Sequence, residues 1–442
     1  MKFFGKTLDA ESRTLFRNSS WVFFSNFFST GLAFLRSIII ARGLGVTIFG
    51  NYAVVVAFVG LIQEFLNLNI GTALIRYGAI YQSEKRYDKL TALVRLSVYA
   101  SLAMAVVSVI IVAVLSRFSY STFFTEPGLE WFIVGFAAAA SITYVNSISR
   151  GLLRLHYKFR LSSVIQMIMD VIETLAIAIA VFFFPKDLSI FFTAVILTRF
   201  INGFICNALA FWELKSQLLP ANESKMELIK PDVRDFRSYV LGNSLGNTLK
   251  TLISQGDIVL LRVFASVEQV GFYSVAKKLA YSVLTLSDPL VQSIFPQLSR
   301  LLAEKKYPEM RAMLRRITSI TILPSIAFLI AAIFLSELIM GIVYGKEYLP
   351  AALSFNYFVV GAVLASITFW MLPLVQSLGL IRERLNVYFV TILAGIVLSY
   401  LIVPSLQAQG MAMVLLLVNI LNLALFGLMA DRRMKTIESH LS

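Results

Sequence analysis

The stretch ARGLGVTIFGNYAV, Ala41 to Val54, decides the fold because the chain contains it twice: its counterpart is LRVFASVEQVGFYSV, Leu261 to Val275. In each copy an arginine ends one apolar run, a short link follows, and Gly-x-Tyr opens the next run (Gly50 and Tyr52; Gly271 and Tyr273). The register continues, since Tyr87 to Arg95 in the first copy mirrors Tyr307 to Arg315 in the second. The offset stays near 220 residues, half of a 442-residue chain. A parallel duplication of this size predicts two six-helix lobes in the same orientation, with a substrate path between them. The lobes are expected over 1–214 and 238–442. Polar residues 215–237, with Pro220 and Pro231, link them.

Composition says what surrounds the repeat. Apolar residues make up 58% and charged residues 14%, with a mean hydropathy of +0.78, where a soluble domain carries about a quarter charged residues. At ~20 apolar residues per crossing, twelve spans are expected. They run over 18–41, 48–74, 91–116, 128–150, 161–184, 188–212, 238–263, 269–297, 315–343, 350–378, 385–404 and 408–430, an all-α polytopic fold. The second, fourth, ninth and tenth are the longest and are expected to tilt or kink. Pro289, Pro296, Pro324 and Pro373 are candidate kink points.

The formal charge of +14 would suit nucleic acid, but the cations sit in short clusters between apolar runs, so no nucleic-acid partner is expected. The segments placed inside hold 28 Lys and Arg, while those placed outside hold only Arg42, Arg117, Lys186, Arg262 and Lys346. The alternation runs through the whole chain, so both termini are expected in the cytoplasm. The opening residues show no small-residue cleavage site and do not read as a secretory signal.

Catalytic signatures are missing: the chain holds no Gly-x-Ser-x-Gly, P-loop or Gly-x-Gly-x-x-Gly. The links placed outside are too short for the domain a sugar polymerase needs. Cys206 is the single cysteine, and His156 and His440 are the only histidines, so neither a disulfide nor a zinc constellation is expected. No cofactor is expected beyond a coupling proton or sodium ion.

Ionisable residues inside the spans are therefore the candidate site, because each is costly in hydrocarbon and turns to a cavity or a partner. The cations are Arg36, Arg199, Lys250, Lys277 and Lys278; the acids include Asp170, Glu173 and Asp257. Ser25, Ser29 and Arg36 share one face of the first span, as do Asn243, Asn247, Lys250 and Asp257 on its repeat equivalent, the seventh. Such stripes line a wet cleft or serve as hydrogen-bond glue between helices. Gln166, Asp170 and Glu173 form a third stripe, suited to a coupling ion, while Glu173 and Arg199 lie at similar depth on adjacent helices and read as a structural ion pair. Tyr144 and Trp370 are candidates to line a path.

The first span and the run from Ala41 to Ala79, with Arg42, Leu44, Gly45, Phe49, Gly50, Tyr52, Arg76 and Tyr77, resemble the polysaccharide transporter branch of the MOP exporter superfamily. That branch includes the Wzx-type flippases of O-antigen and related pathways. The resemblance implies a V-shaped, MATE-like fold of two lobes in the bacterial inner membrane. It implies an undecaprenyl-diphosphate-linked oligosaccharide as cargo, flipped outward by alternating access among membrane lipids, with polysaccharide polymerase and chain-length proteins as partners. The family's cleft residues diverge, so Arg36, Lys250, Lys277 and Lys278 as contacts for the diphosphate or an acidic sugar rest on the residues alone. Competing readings are a drug or metabolite cation antiporter of the same superfamily and a membrane sugar polymerase or ligase.

Overall fold

Helices account for nearly all of the computed structural model, which describes residues 2–3, 6–7, 10–124, 128–185, 187–214, 236, 240, 244, 248–249, 251–252, 255–282, 284 and 288–439. A two-residue antiparallel pairing, Lys2–Phe3 with Lys6–Thr7, precedes the helices. The first half comprises α1 (Ala10–Leu66), α2 (Ile70–Ser83), α3 (Tyr87–Phe123), α4 (Leu129–Ser141), α5 (Thr143–Leu155), α6 (Phe159–Phe183) and α7 (Leu188–Leu214). In the second half residues 255–264 are helical. They are followed by α8 (Val267–Ser282), α9 (Asp288–Ala303), α10 (Tyr307–Phe334), α11 (Ser336–Val343), α12 (Ala352–Ile367), α13 (Met371–Ser377) and α14 (Ile381–Ser439).

Among the described residues, eight helical segments are long and apolar enough to cross a membrane. Two of them, Ser20–Ser83 and Arg382–Ile437, have 64 and 56 residues, too many for one crossing of a ~30 Å core at ~1.5 Å per residue. Each is broken in its backbone, at Gly45 (φ 80°, ψ 179°) and at Gln407 (φ 47°, ψ −122°). Only glycine adopts the Gly45 conformation readily, and Gly45 lies within the expected link between the first two spans. The chain is thus a multi-pass membrane protein. Its exposed surface agrees: Leu323, Phe334, Phe118, Trp131 and Phe183 are all at least three-quarters exposed, as side chains that face lipid are.

The four long spans are each interrupted. The second stops at Leu66, where the Asn67 side chain accepts the Asn69 N–H at 3.0 Å and Asn69 turns left-handed (φ 47°). The fourth breaks at Ile142, the ninth at Leu335 and the tenth at Thr368–Trp370. Pro296 and Pro324 lie inside α9 and α10. Pro289 and Pro373 instead sit in the first turns of α9 and α13, where a missing N–H leaves no helical bond unmade. Pro373 restarts its helix after the turn at Thr368–Trp370.

The chain divides into two compact units, one of Met1–Ile39, Phe58–Ser121 and Glu126–Thr248, the other of Ile40–Ala57, Thr122–Thr125 and Leu249–Ser442. A core in the first unit joins α2, the start of α3 and α5 through Ile70, Leu74, Leu90, Ile148 and Leu152. Its counterpart in the second joins α9, α10 and α13 through Leu298, Met310, Leu314 and Leu374. Lys85 and Lys305, 220 positions apart, share the same left-handed turn (φ 56° and 57°) before α3 and α10.

The duplicated stretches meet reciprocally inside the second unit. A methyl group on Gly50 would strike the Val267 carbonyl, and one on Gly271 would strike that of Val46. Both glycines lie 221 positions from each other, as do the two valines. Arg42 Nε donates to the Val343 carbonyl at 2.9 Å, and Arg262 Nε donates to the Phe123 carbonyl at 3.0 Å; donors and acceptors are each 220 positions apart. Thr47 donates to Glu268 at 3.2 Å across the same contact. Each arginine thus satisfies a carbonyl at the end of a helix in the other copy, where the helix itself supplies no donor.

Candidate functional site

Two polar stripes read from the sequence close on one another in the first unit. The Ser25 hydroxyl meets Ser163 at 3.2 Å, Ser29 donates to the Asp170 carboxylate, and Arg36 reaches α6 about one turn further along, at Glu173 and Thr174. The Arg36 guanidinium lies 3.4 Å from Glu173 and 3.8 Å from Asp170. It also donates to the Asp170 carbonyl at 3.1 Å and to the Thr174 hydroxyl at 3.3 Å. Gln166 donates to Asp170 at 2.9 Å and accepts from Arg150.

Arg199 completes the group from α7. Its Nε stands 3.8 Å from Glu173, a charge contact too long for a hydrogen bond, and its guanidinium lies 4.6 Å from the centre of the Phe136 ring. Glu173 is therefore shared by two arginines. Asp170 and Glu173 are 6% and 11% exposed in their side chains, Arg36 14%. Two carboxylates against Arg36 and Arg199 leave the cluster close to neutral, the condition under which ions persist in a protein interior.

The second unit holds a smaller constellation. Asp257, on residues 255–264, receives Lys277 Nζ at 2.5 Å and the Tyr273 hydroxyl, both from α8. Its other oxygen accepts the Ile258 N–H at 2.9 Å. Tyr273 is fully buried and packs edge-on against Phe358, with ring centres 5.0 Å apart. The spacing 273, 277 puts tyrosine and lysine on one face of α8. Tyr273 is the tyrosine of the repeated Gly-x-Tyr; its role as a carboxylate partner was not read from sequence, although its place four residues before Lys277 is the available signal.

Lys278 is exposed, turned away from its neighbour by a single helical step. Lys250, Asn243 and Asn247 lie outside the described residues. Tyr144 is buried and donates to the Gln63 carbonyl at 2.7 Å, and the Trp370 indole donates to Thr318 at 2.9 Å, so both hold helices together. Among the described residues no three His, Cys, Asp or Glu side chains gather as metal ligands.

A family model described as "Polysaccharide biosynthesis protein" matches residues 15–302, about two-thirds of the chain, from the first span through α9. The chain belongs to the polysaccharide biosynthesis protein family. Solved structures share the fold of this family member over almost its whole length. An inward-closed lipid II flippase MurJ superposes with a TM-score of 0.67 at 14% identity, covering 92% of this chain and 86% of its own. An inward-facing multidrug resistance MATE transporter of the MOP superfamily gives 0.70 at 12%, covering 93% and 96%. A MOP superfamily transporter from Pyrococcus furiosus, described as having a binding pocket of reversed polarity, gives 0.65 at 13%, covering 95% and 96%. No curated protein matches by sequence.

Proposed function

We propose that this protein is a Wzx-type flippase that carries an undecaprenyl-diphosphate-linked oligosaccharide from the cytoplasmic to the external leaflet of the bacterial inner membrane, by alternating access and coupled to protons or sodium ions. The observation that carries this reading is the buried Arg36–Asp170–Glu173–Arg199 cluster. A membrane protein that needed only stability would be served as well by apolar packing. Here Arg36 is held by carboxylates that a proton or a sodium ion can neutralise. Loading the coupling ion on Asp170 or Glu173 frees the guanidinium for the diphosphate, which accepts charge-assisted hydrogen bonds from such a fork. Lys277 stands in the same relation to Asp257, with Lys250 and Lys278 as further cations for the head group. The prenyl tail stays in lipid, both termini face the cytoplasm, and a polymerase and chain-length proteins take the product outside. The lobes divide at the linker 215–237.

The experiment is export in cells with surface expression of the variants followed. Arg36→Ala combined with Lys250→Ala is expected to strand lipid-linked units on the cytoplasmic side. Full export by that double variant would reject the assignment. The three buried carboxylates also suit a cation antiporter, whose loss would sensitise cells to a cationic compound and leave lipid-linked units exported.

A further inference from the structure

Beyond the buried charges, the first unit contains a cavity of about 570 Å³ bounded by Trp21 of α1, Tyr157, Lys158 and Arg160 at the start of α6, and Glu213 near the end of α7. Arg160 lies 5.3 Å from the centre of the Trp21 ring, and among the described residues no carboxylate pairs with it. Lys158 is held at 2.7 Å by Glu213. The wall therefore presents two cations against one carboxylate. Leu161 and Val164 supply an apolar floor. The charge pattern places this end of the helices at the cytoplasmic face, where Trp and Tyr gather at the headgroup level and anionic lipids draw lysine and arginine.

The repeat shows that part of this arrangement belongs to one copy alone. Tyr157 and Gly379, 222 positions apart, occupy the same left-handed turn, with φ 59° and 72°. The following bonds match one for one: Tyr157 and Lys158 donate to Arg154 and Leu153, while Gly379 and Leu380 donate to Gln376 and Val375. Glycine takes that conformation freely; a tyrosine there is strained. The first copy thus keeps an unfavourable residue, 70% exposed, where the second uses glycine, and a lysine where the second uses leucine. Arg160 and Arg382 correspond.

We propose that this cavity seats the phosphate of an anionic lipid headgroup from the inner leaflet. Arg160 and Lys158 contact the phosphate, Trp21 and Tyr157 stand at the ester level, and the first methylenes lie on Leu161 and Val164. The proposal needs the protein in a membrane and does not depend on which cargo it moves. The phosphate can belong to a bulk phospholipid or to the prenyl-diphosphate carrier, and competition separates the two.

The test is native mass spectrometry of the full-length protein, titrated with phosphatidylglycerol and, as the phosphate-free control, diacylglycerol with the same chains. Lys158→Glu with Arg160→Glu is expected to weaken phosphatidylglycerol binding at one site by at least about thirtyfold, the effect of losing two interfacial cations before the added repulsion of two carboxylates. Arg382→Glu, at the equivalent position of the second copy, is expected to leave binding unchanged, as are all variants toward diacylglycerol. Should the double reversal not fold, Arg160→Gln carries the same test at about fivefold. Displacement of phosphatidylglycerol by undecaprenyl diphosphate assigns the seat to the carrier; no displacement assigns it to bulk phospholipid. Unchanged phosphatidylglycerol binding in the folded variants, or equal loss in Arg382→Glu, overturns the proposal.

Discussion

Arg36 and Asp257 lie on corresponding helices of the duplicated halves, one position out of register in the alignment that pairs Arg42 with Arg262, and they carry opposite charges. Arg36 is answered from α6, more than 130 residues away, by two carboxylates, one of which it shares with Arg199. Among the described residues Asp257 is answered from the next helix along the chain, by Lys277 and Tyr273. The two halves thus carry charges of opposite sign on corresponding helices, held by different partners. The first cluster has a spare counter-charge when one member changes, whereas the second centres on the Asp257 carboxylate.

The sharpest break of this comparison is Asp257→Ala. It takes the Asp257 carboxylate away from both Lys277 and the buried Tyr273 hydroxyl, so it should destabilise the protein by about 3–5 kcal/mol in thermal unfolding in detergent. The paired change Asp257→Asn with Lys277→Met should recover most of that loss. A single variant as stable as the wild type would mean that the ion pair is screened by water and the contrast between the units is empty. Arg36→Met should cost less, about 2 kcal/mol, because Arg199 still faces Glu173. A larger loss for Arg36→Met than for Asp257→Ala would invert the comparison.

The reciprocal contact of the repeats gives a finer test. Arg42→Ala and Arg262→Ala each remove a guanidinium from the carbonyl that ends another helix, and each should cost about 1–1.5 kcal/mol. Nearly equal values are expected, and a clear inequality would show that the symmetry is geometric without being energetic. The smallest effect is one of pH. The Ser266 hydroxyl, followed by the backbone amide of Glu268 and by Thr47 and Arg262, holds the Glu268 carboxyl below the usual carboxylate range. A depressed folded value contributes stability that is present above the unfolded pKa and lost as pH falls through the folded one. Acidification below about pH 4 should therefore lower the unfolding temperature slightly, and Glu268→Gln should remove that slope.

The repeat, the spacing of the apolar runs and the alternation of Lys and Arg were enough to anticipate a polytopic helical fold. Glu173 and Arg199 were legible as a pair, because adjacent helices of known direction bring equal depths together. The closure of the Arg36 stripe onto the Asp170 stripe was not, since an amphipathic face states that a partner exists without naming it. Lys277 and Lys278 show a further limit. They are neighbours in sequence, yet one helical step separates a buried ion pair from an exposed side chain, and composition cannot rank them. That the second and fourth spans bend was legible from their length, but the places, Asn67–Asn69 and Ile142, were not: hydropathy runs on across them, and only local side-chain and backbone geometry stops the helix.

The cluster in the first unit is the centre of the account, and reconstituted transport addresses it directly. Purified Arg36→Gln protein in proteoliposomes, presented with a prenyl-diphosphate-linked oligosaccharide under a proton or sodium gradient, should remain folded and fail to move the head group to the far leaflet. Wild-type flipping by folded Arg36→Gln protein would contradict the account.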